Sequence, residues 1–133
     1  MEVVFLSSNK EFLDSISRFI SFIFCSDLIS DKYTTCYVGD TKISFVPCSS
    51  VDEAVKVVDE LAPSVIFLDH SLEKNDYEVI YRLRKIGIPM EIVVMTCNPD
   101  DIRKYAHRGI QKVIFEWDMT KLKNLIMDIT YTS

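Results

Sequence analysis

The feature that most constrains this chain is a repeated switch between two hydrophobic periods. Short apolar runs, typical of strands buried on both faces of a sheet, occur at 3–6, 43–46, 65–68, 92–95 and 113–115. After these runs, apolar residues recur at spacings of three and four, which predicts amphipathic helices. Five strands alternating with five helices require right-handed crossovers, and they predict a parallel sheet with helices on both faces.

The predicted helices begin at residues that suit the N-cap position. The proposed caps are Ser8 or Asn9, Ser50 with Glu53 as a capping box, Asn75 or Asp76, Asn98 before Pro99, and Asp118. Residues 26–41 leave two interpretations open. They form either a longer first helix with a loop, or an additional strand at 33–38 that turns at Gly39 and Asp40 into the run at 43–46.

Length and charge limit the class of protein. A chain of 133 residues predicts one domain, 1–133, and the leading topology is the flavodoxin-like (βα)5 doubly wound sheet with strand order 2-1-3-4-5. The net charge of −5 argues against a nucleic-acid surface. The chain starts without the basic segment of a signal peptide, and its longest apolar stretch, 19–25, is too short to cross a bilayer. We therefore expect a cytoplasmic domain without a membrane span, with four reduced cysteines and no CxxC metal motif.

In sheets of this kind, ligands and chemistry gather where the parallel strands end. The residues that follow the predicted strands are Ser7, Ser8, Asn9, Asp69, His70, Thr96, Cys97, Glu116 and Trp117. The sequence has neither a GxGxxG motif nor a P-loop, and it contains only three glycines. A small flavodoxin-like enzyme or nucleotide-binding domain is therefore retained only as an alternative.

Three positions give the chain a resemblance to a known family. An aspartate directly follows the third apolar run (Asp69), a threonine directly follows the fourth (Thr96), and a glycine precedes the fifth (Gly109). At these intervals the chain resembles the CheY-like receiver domains of bacterial response regulators over nearly its full length. The resemblance implies that Asp69 is the candidate phosphoacceptor and that Thr96 supplies the switch hydroxyl.

Other positions depart from the receiver pattern. Ser7 and Ser8 stand where the family has the two acidic residues that hold magnesium, and Glu116 stands where it has a lysine that pairs with the phosphoryl oxygens. Trp117 replaces the proline that follows that lysine, and Val113 occupies the aromatic position that rotates when typical receivers are activated.

These departures change the electrostatics that phosphoryl transfer needs. Magnesium is held by one or two carboxylates together with phosphate, and the two serines remove carboxylate ligands. A lysine about 4 Å from the phosphoryl group would attract it by about 4 kcal/mol at an effective dielectric near 20, whereas Glu116 repels it by a similar amount. Since each ~1.4 kcal/mol is tenfold in rate, we expect ordinary magnesium-dependent phosphorylation to be slower by orders of magnitude.

The predicted function is that of a pseudo-receiver, a signalling domain without catalytic activity that acts through protein–protein contacts. It uses no cofactor or resident metal, and magnesium is expected only if Asp69 carries a phosphoryl group. One alternative is a working phospho-switch at Asp69 with an altered site, in which Asn9 or Glu116 reaches the metal; such a domain would suit the N-terminal regulatory part of a transcriptional regulator. Another alternative is a metal site formed by Asp69, His70 and Glu116, because three ligands could converge there.

Partners are predicted from the resemblance and from charge. Receivers usually contact partners through the fourth helix, the fifth strand and the fifth helix, and a partner protein, an output domain or a second copy could bind there. The candidate interface residues are Arg103, Lys104, Arg108, Lys112, Trp117, Lys121 and Lys123. A basic surface exposed only to solvent remains the simpler interpretation.

Overall fold

The fold is described by a computed structural model, which covers residues 1–24, 27–28, 34–72, 78–110, 112–116 and 118–132. Within these residues, seven strands form one sheet: β1 Glu2–Leu6, β2 Asp27–Leu28, β3 Thr34–Val38, β4 Thr41–Cys48, β5 Val65–Asp69, β6 Glu91–Thr96 and β7 Val113–Phe115. The helices are α1 Lys10–Phe24, α2 Val51–Leu61, α3 Glu78–Lys85, α4 Asp101–Ala106 and α5 Met119–Thr132, and a 3-10 turn, His70–Leu72, follows β5.

The sheet order is β2-β3-β4-β1-β5-β6-β7. Within this order, β4, β1, β5, β6 and β7 pair parallel with one another and reproduce the predicted order 2-1-3-4-5. β3 pairs antiparallel with β4, and β2 pairs antiparallel with β3. The doubly wound α/β fold is therefore confirmed, although the sheet is not wholly parallel.

The antiparallel edge resolves the two interpretations of residues 26–41. α1 ends at Phe24, and β3 turns into β4 through Gly39, which has a φ of 62°, and Asp40. The hairpin interpretation is confirmed, because a left-handed residue at Gly39 suits a tight turn between two strands. The longer first helix is wrong for the described residues.

The core lies on both faces of the sheet, as parallel strands require. Val3, Phe5 and Phe67 point to the face covered by α1 and α5, and the rings of Phe5 and Phe67 stack with centroids 4.8 Å apart. Val4 and Leu68 point to the other face, which packs against α2, α3 and α4. β1 and β5 thus contribute alternate residues to two hydrophobic clusters, which fixes the register of their ends.

The structure also tests the helix starts. Asn9 caps α1 by accepting a hydrogen bond from Phe12 N, and Asp118 caps α5 by accepting one from Lys121 N. Ser50 caps α2 by accepting a hydrogen bond from Glu53 N, and Glu53 reaches back to Ser49. α4 begins at Asp101, two residues later than predicted, because residues 98–101 first form a turn in which Asp101 N donates to Asn98 O. The predicted caps Asn75 and Asp76 lie outside the described residues.

No helix in the described part of the chain is both long enough and apolar enough to span a membrane.

Candidate functional site

Four of the predicted site residues meet at one edge of the sheet. Ser7 follows β1, Asp69 ends β5, Thr96 ends β6 and Glu116 follows β7. The hydrogen bonds of the parallel sheet continue past two of these strands, since Ser7 N donates to Cys48 O at 3.1 Å and Glu116 N donates to Thr96 O at 3.0 Å. Backbone pairing therefore positions these side chains at the carboxyl ends of neighbouring strands.

Asp69 is almost fully buried, with 4% of its surface exposed. Its Oδ2 accepts a hydrogen bond of 2.6 Å from Ser7 Oγ, and its Oδ1 accepts one of 3.0 Å from the backbone N–H of Ser71. Ser7 is completely buried, and its Oγ also accepts a hydrogen bond from Asn9 N at 3.1 Å. Ser7 thus bonds directly to the carboxylate and ties it to the start of α1.

Glu116 is the second acidic group of this pocket, which we call the Asp69 pocket (Ser7, Asp69 and Glu116). Burial raises the pKa of the Glu116 carboxyl above its ordinary value of 4.5, and the negative charge of Asp69 and a side-chain hydrogen bond to Asp69 raise it further. Asp69 therefore faces an acid whose pKa is raised, at the position where receivers have a lysine.

Thr96 is fully buried, and its hydroxyl is bonded within the segment that follows β6. Its Oγ1 donates a hydrogen bond of 2.5 Å to Asp101 Oδ2 and accepts one of 3.1 Å from Asn98 N. Asp101 lies in the first turn of α4, and only 1% of its surface is exposed. The hydroxyl matched to the switch position thus bonds a helix residue rather than Asp69.

His70 connects this second carboxylate to a tyrosine. Its Nε2 lies 3.3 Å from Asp101 Oδ2, and its Nδ1 lies 2.6 Å from the Tyr105 hydroxyl. Because Asp101 already accepts the Thr96 proton, we assign the Nε2–H tautomer, with Nδ1 accepting from Tyr105. Tyr105 is 1% exposed and meets the imidazole ring edge-on. We call Thr96, Asp101, His70 and Tyr105 the His70 network.

The proposed metal site of Asp69, His70 and Glu116 is wrong in this geometry. His70 directs both ring nitrogens to α4, and no group of three potential ligand residues suited to a metal occurs among the residues that the structure describes. Ser8 is exposed, whereas Ser7 alone of the pair reaches Asp69. Trp117 lies outside the described residues.

Sequence reasoning missed the functional position of two residues. An aspartate in the first turn of a helix is sufficiently explained by the helix dipole, so nothing in the sequence singled out Asp101 as part of the site. A signal was available, because Asp101 and Tyr105 are four residues apart and lie on one face of α4. A buried tyrosine needs a hydrogen-bond partner, and His70 supplies it.

The candidate interface residues surround α4 and α5. Arg103, Lys104, Arg108 and Lys121 are exposed. Lys112 is half-buried and forms an ion pair of 2.7 Å with Glu91, so part of its charge is already compensated. Lys104 Nζ lies 3.9 Å from Asp101 Oδ1, which places a cation beside the His70 network.

Comparison with known proteins places the fold. No protein-family model matches the sequence, and no curated protein sequence matches it. Among solved structures, the chain is similar to the signal receiver domain of a DNA-binding response regulator from Colwellia psychrerythraea 34H, with a TM-score of 0.73, 14% identity and 98% of both chains covered. It is also similar to a two-component response regulator from Clostridium difficile, with a TM-score of 0.69, 14% identity, and 98% of this chain and 96% of that chain covered.

A less similar structure is the FeoB G-domain from Methanococcus jannaschii, with a TM-score of 0.56, 13% identity and 96% of each chain covered. The higher TM-scores and near-complete coverage show that this chain has the fold of response regulator receiver domains. The resemblance inferred from Asp69, Thr96 and Gly109 is therefore confirmed at the level of fold. At these identities the likeness extends to the fold alone.

Proposed function

We propose that this chain is a receiver-like signalling domain without enzymatic activity, which acts through protein–protein contacts and is not switched by ordinary magnesium-dependent phosphorylation of Asp69. The observation that carries the proposal is the closed Asp69 pocket. Asp69 is buried, bonded to Ser7 at 2.6 Å, and faced by Glu116, an acid whose pKa is raised by burial and then by the charge of Asp69.

The pocket opposes the charge changes of phosphorylation. A phosphoryl group adds negative charge and strong acceptor oxygens, which need cationic or N–H donors. Ser7 offers one hydroxyl, and Glu116 offers a proton only while it is protonated. Once Glu116 ionises, its charge repels a phosphoryl group on Asp69.

Magnesium would meet a similar obstacle. The ion prefers octahedral oxygen ligands that include one or two carboxylates. Asp69 and Glu116 supply carboxyl oxygens, but the raised pKa of Glu116 favours its protonated form, and a metal ion binds a carboxyl group only after it has lost its proton. Ser7, at the position of an acidic metal ligand in receivers, donates its hydroxyl proton to Asp69 instead.

The position of Thr96 supports the same proposal. In a phosphorylated receiver the hydroxyl would turn towards the phosphoryl group. Here it donates to a buried carboxylate, and breaking that bond would leave Asp101 with one fewer donor in a site that is 1% exposed. Such a loss is costly for a buried charged group.

The proposed partner is another protein, an output domain or a second copy of the chain. The exposed cations of α4 and α5 form a basic surface on a domain whose net charge is −5. This surface suits an acidic partner, because opposite charges speed association and orient the two molecules.

Intact-mass measurement after incubation with a small-molecule phosphodonor and magnesium tests the proposal. A receiver domain that accepts phosphate serves as the positive control for the donor. The parent chain is expected to gain no phosphate, and the same holds for Asp69→Asn. A single phosphate on the parent that disappears in Asp69→Asn would establish the phospho-switch alternative instead.

The same preparation tests the nucleotide-binding alternative. The turn after β1 contains Ser7, Ser8 and Asn9 instead of a glycine-rich phosphate loop. In a thermal-shift screen, we expect GTP, ATP and FMN to leave the midpoint of unfolding unchanged. A concentration-dependent increase with any of them would favour a ligand-binding domain.

A further inference from the structure

The turn after β5 is held from two sides. On one side, Asp69 Oδ1 accepts the backbone N–H of Ser71 at 3.0 Å, so the carboxylate fixes the first residues of the 3-10 turn. On the other side, the His70 ring lies between Asp101 and Tyr105 of α4. His70 thus lies in the chain between Asp69 and Ser71, the two residues that this hydrogen bond joins.

α4 is short, and its attachment is concentrated in two side chains. The helix has six residues, and Asp101 and Tyr105 are its buried members. Both contact His70, at 3.3 Å and 2.6 Å. Arg103 and Lys104 of α4 are exposed, and Lys104 Nζ lies 3.9 Å from Asp101 Oδ1. A helix this short is marginal by itself, so side-chain contacts of this kind decide its position and its rate of local opening.

We propose that His70 is a positioning residue that couples the Asp69 pocket to α4, so that a change of charge or hydrogen bonding at Asp69 alters the opening of α4 and the presentation of its basic face. This inference rests on the proposed function only in taking that face as part of the partner surface.

The coupling follows from hydrogen-bond geometry. When Asp69 no longer accepts the Ser71 N–H, the turn that carries His70 loses its internal restraint. The imidazole must donate from Nε2 to Asp101 and at the same time accept at Nδ1 from the Tyr105 hydroxyl. A small displacement of the turn therefore weakens both bonds. Asp101 is buried and charged, so α4 moves or opens to restore a donor.

This route differs from a rotation of a β7 aromatic residue, because that position is Val113. It also places Thr96 in a different role. Its hydroxyl holds Asp101 in the orientation that His70 requires, with Thr96 Oγ1 and His70 Nε2 both directed at the same carboxylate oxygen.

Backbone amide hydrogen exchange measures the coupling in a cycle of four proteins. The pocket is perturbed by Asp69→Ala, the connection is removed by His70→Phe, and both changes are combined. The probes are the amides of α4. The amides of α2, which packs near β1 and β4 and not near β7 as α4 does, report any general loss of stability.

In the parent background, Asp69→Ala is expected to raise exchange in α4 by about 5-fold or more relative to α2, which is the lower end of measured coupling between sites. In the His70→Phe background the same change is expected to produce less than about 2-fold, below the size of a significant coupling. An equal effect in both backgrounds, no effect in the parent, or an equal rise in α2 and α4 would each overturn the proposal.

If His70→Phe does not fold, Tyr105→Phe takes its place, because it removes only the hydroxyl that contacts Nδ1. In the Tyr105→Phe background, Asp69→Ala is likewise expected to raise exchange in α4 by less than about 2-fold relative to α2, and an equal effect with and without the Tyr105 hydroxyl would overturn the proposal. The result is independent of the phosphodonor assay: a phosphorylated parent would refute the proposed function and leave the exchange cycle unaffected.

Discussion

Glu116→Gln is expected to stabilise the domain, and the gain should grow with pH. The pKa of Glu116 is raised in the folded state by burial and by Asp69, so the folded state holds this proton more tightly than the unfolded state does. Its stabilising contribution is therefore complete below the unfolded value and is lost as the pH rises through the folded value. Glutamine keeps a hydrogen-bond donor for Asp69 and does not acquire a charge.

The magnitude follows from the contact between the two carboxyl groups. Hydrogen-bonded oxygens lie about 3 Å apart, and two charges at this distance repel by about 1 kcal/mol in a medium as polar as water. Glu116 is only half-buried, so solvent screening reduces the effect, and we expect a gain of about 0.5–1 kcal/mol at pH 8. For a domain of this size the midpoint of thermal unfolding should rise by roughly 2–5 °C.

Urea unfolding of the parent and of Glu116→Gln measures the difference in their free energies of unfolding. It is repeated at several pH values between about 3.5 and 8, a range that covers the titration of carboxyl groups. The matched control is Glu60→Gln, which removes a carboxylate from the exposed surface of α2. The pH-dependent gain of Glu116→Gln should be smaller in an Asp69→Asn background, where burial alone still raises the pKa of Glu116. A difference that stays constant with pH, or that favours Glu116 at pH 8, would refute the repulsion between the two acids.

Two further predictions concern buried polar groups. Ser7→Ala removes the 2.6 Å hydrogen bond to Asp69 and should lower the free energy of unfolding by about 1.5–3 kcal/mol, which urea unfolding will show. Thiol labelling of the folded Cys25→Ser variant at neutral pH should modify the exposed Cys97 and spare the buried Cys36 and Cys48. Burial raises the pKa of Cys36 to about 11 and that of Cys48 to about 12, and the charge of Glu53 adds to the shift at Cys48.

Each of these two predictions has a direct control. Ser15→Ala removes a serine whose hydroxyl donates to Glu11 O on the exposed side of α1, and it should change stability little. A cost of Ser7→Ala no greater than that of Ser15→Ala would show that the Asp69 bond is energetically unimportant. In the labelling experiment, unfolding should expose all three cysteines, and rapid modification of Cys48 in the folded state would contradict its burial.

The fold could be predicted because local patterns and tertiary structure agree along this chain. Each continuous apolar run became a strand buried on both faces, and alternate residues such as Phe5 and Val4 supply the two clusters. The antiparallel edge could not be decided in advance. A sequence such as 33–46 forms a hairpin only when a neighbouring strand covers it, and here β1 pairs with β4.

The position of the site could be predicted from the sequence, but the hydrogen bonds between its side chains could not. Parallel strands bring their ends together, so Asp69, Thr96 and Glu116 could be assigned to one edge from the sequence. The direction of each hydrogen bond depends on burial and side-chain rotamers. For this reason the bond from Thr96 to Asp101, and the two contacts of His70, appear only in the structure.

The central claim is that Glu116, which stands where a receiver would hold a lysine, is an acid whose pKa is raised by burial and by the charge of Asp69. A carbon-13 NMR titration of the Glu116 side-chain carboxyl tests it directly, in the parent and in Asp69→Asn. The parent should titrate with a pKa above 4.5, and Asp69→Asn should lower this pKa without bringing it below 4.5, because burial, the largest cause of the shift, remains. A parent pKa at or below 4.5, or one that Asp69→Asn leaves unchanged, would contradict the account.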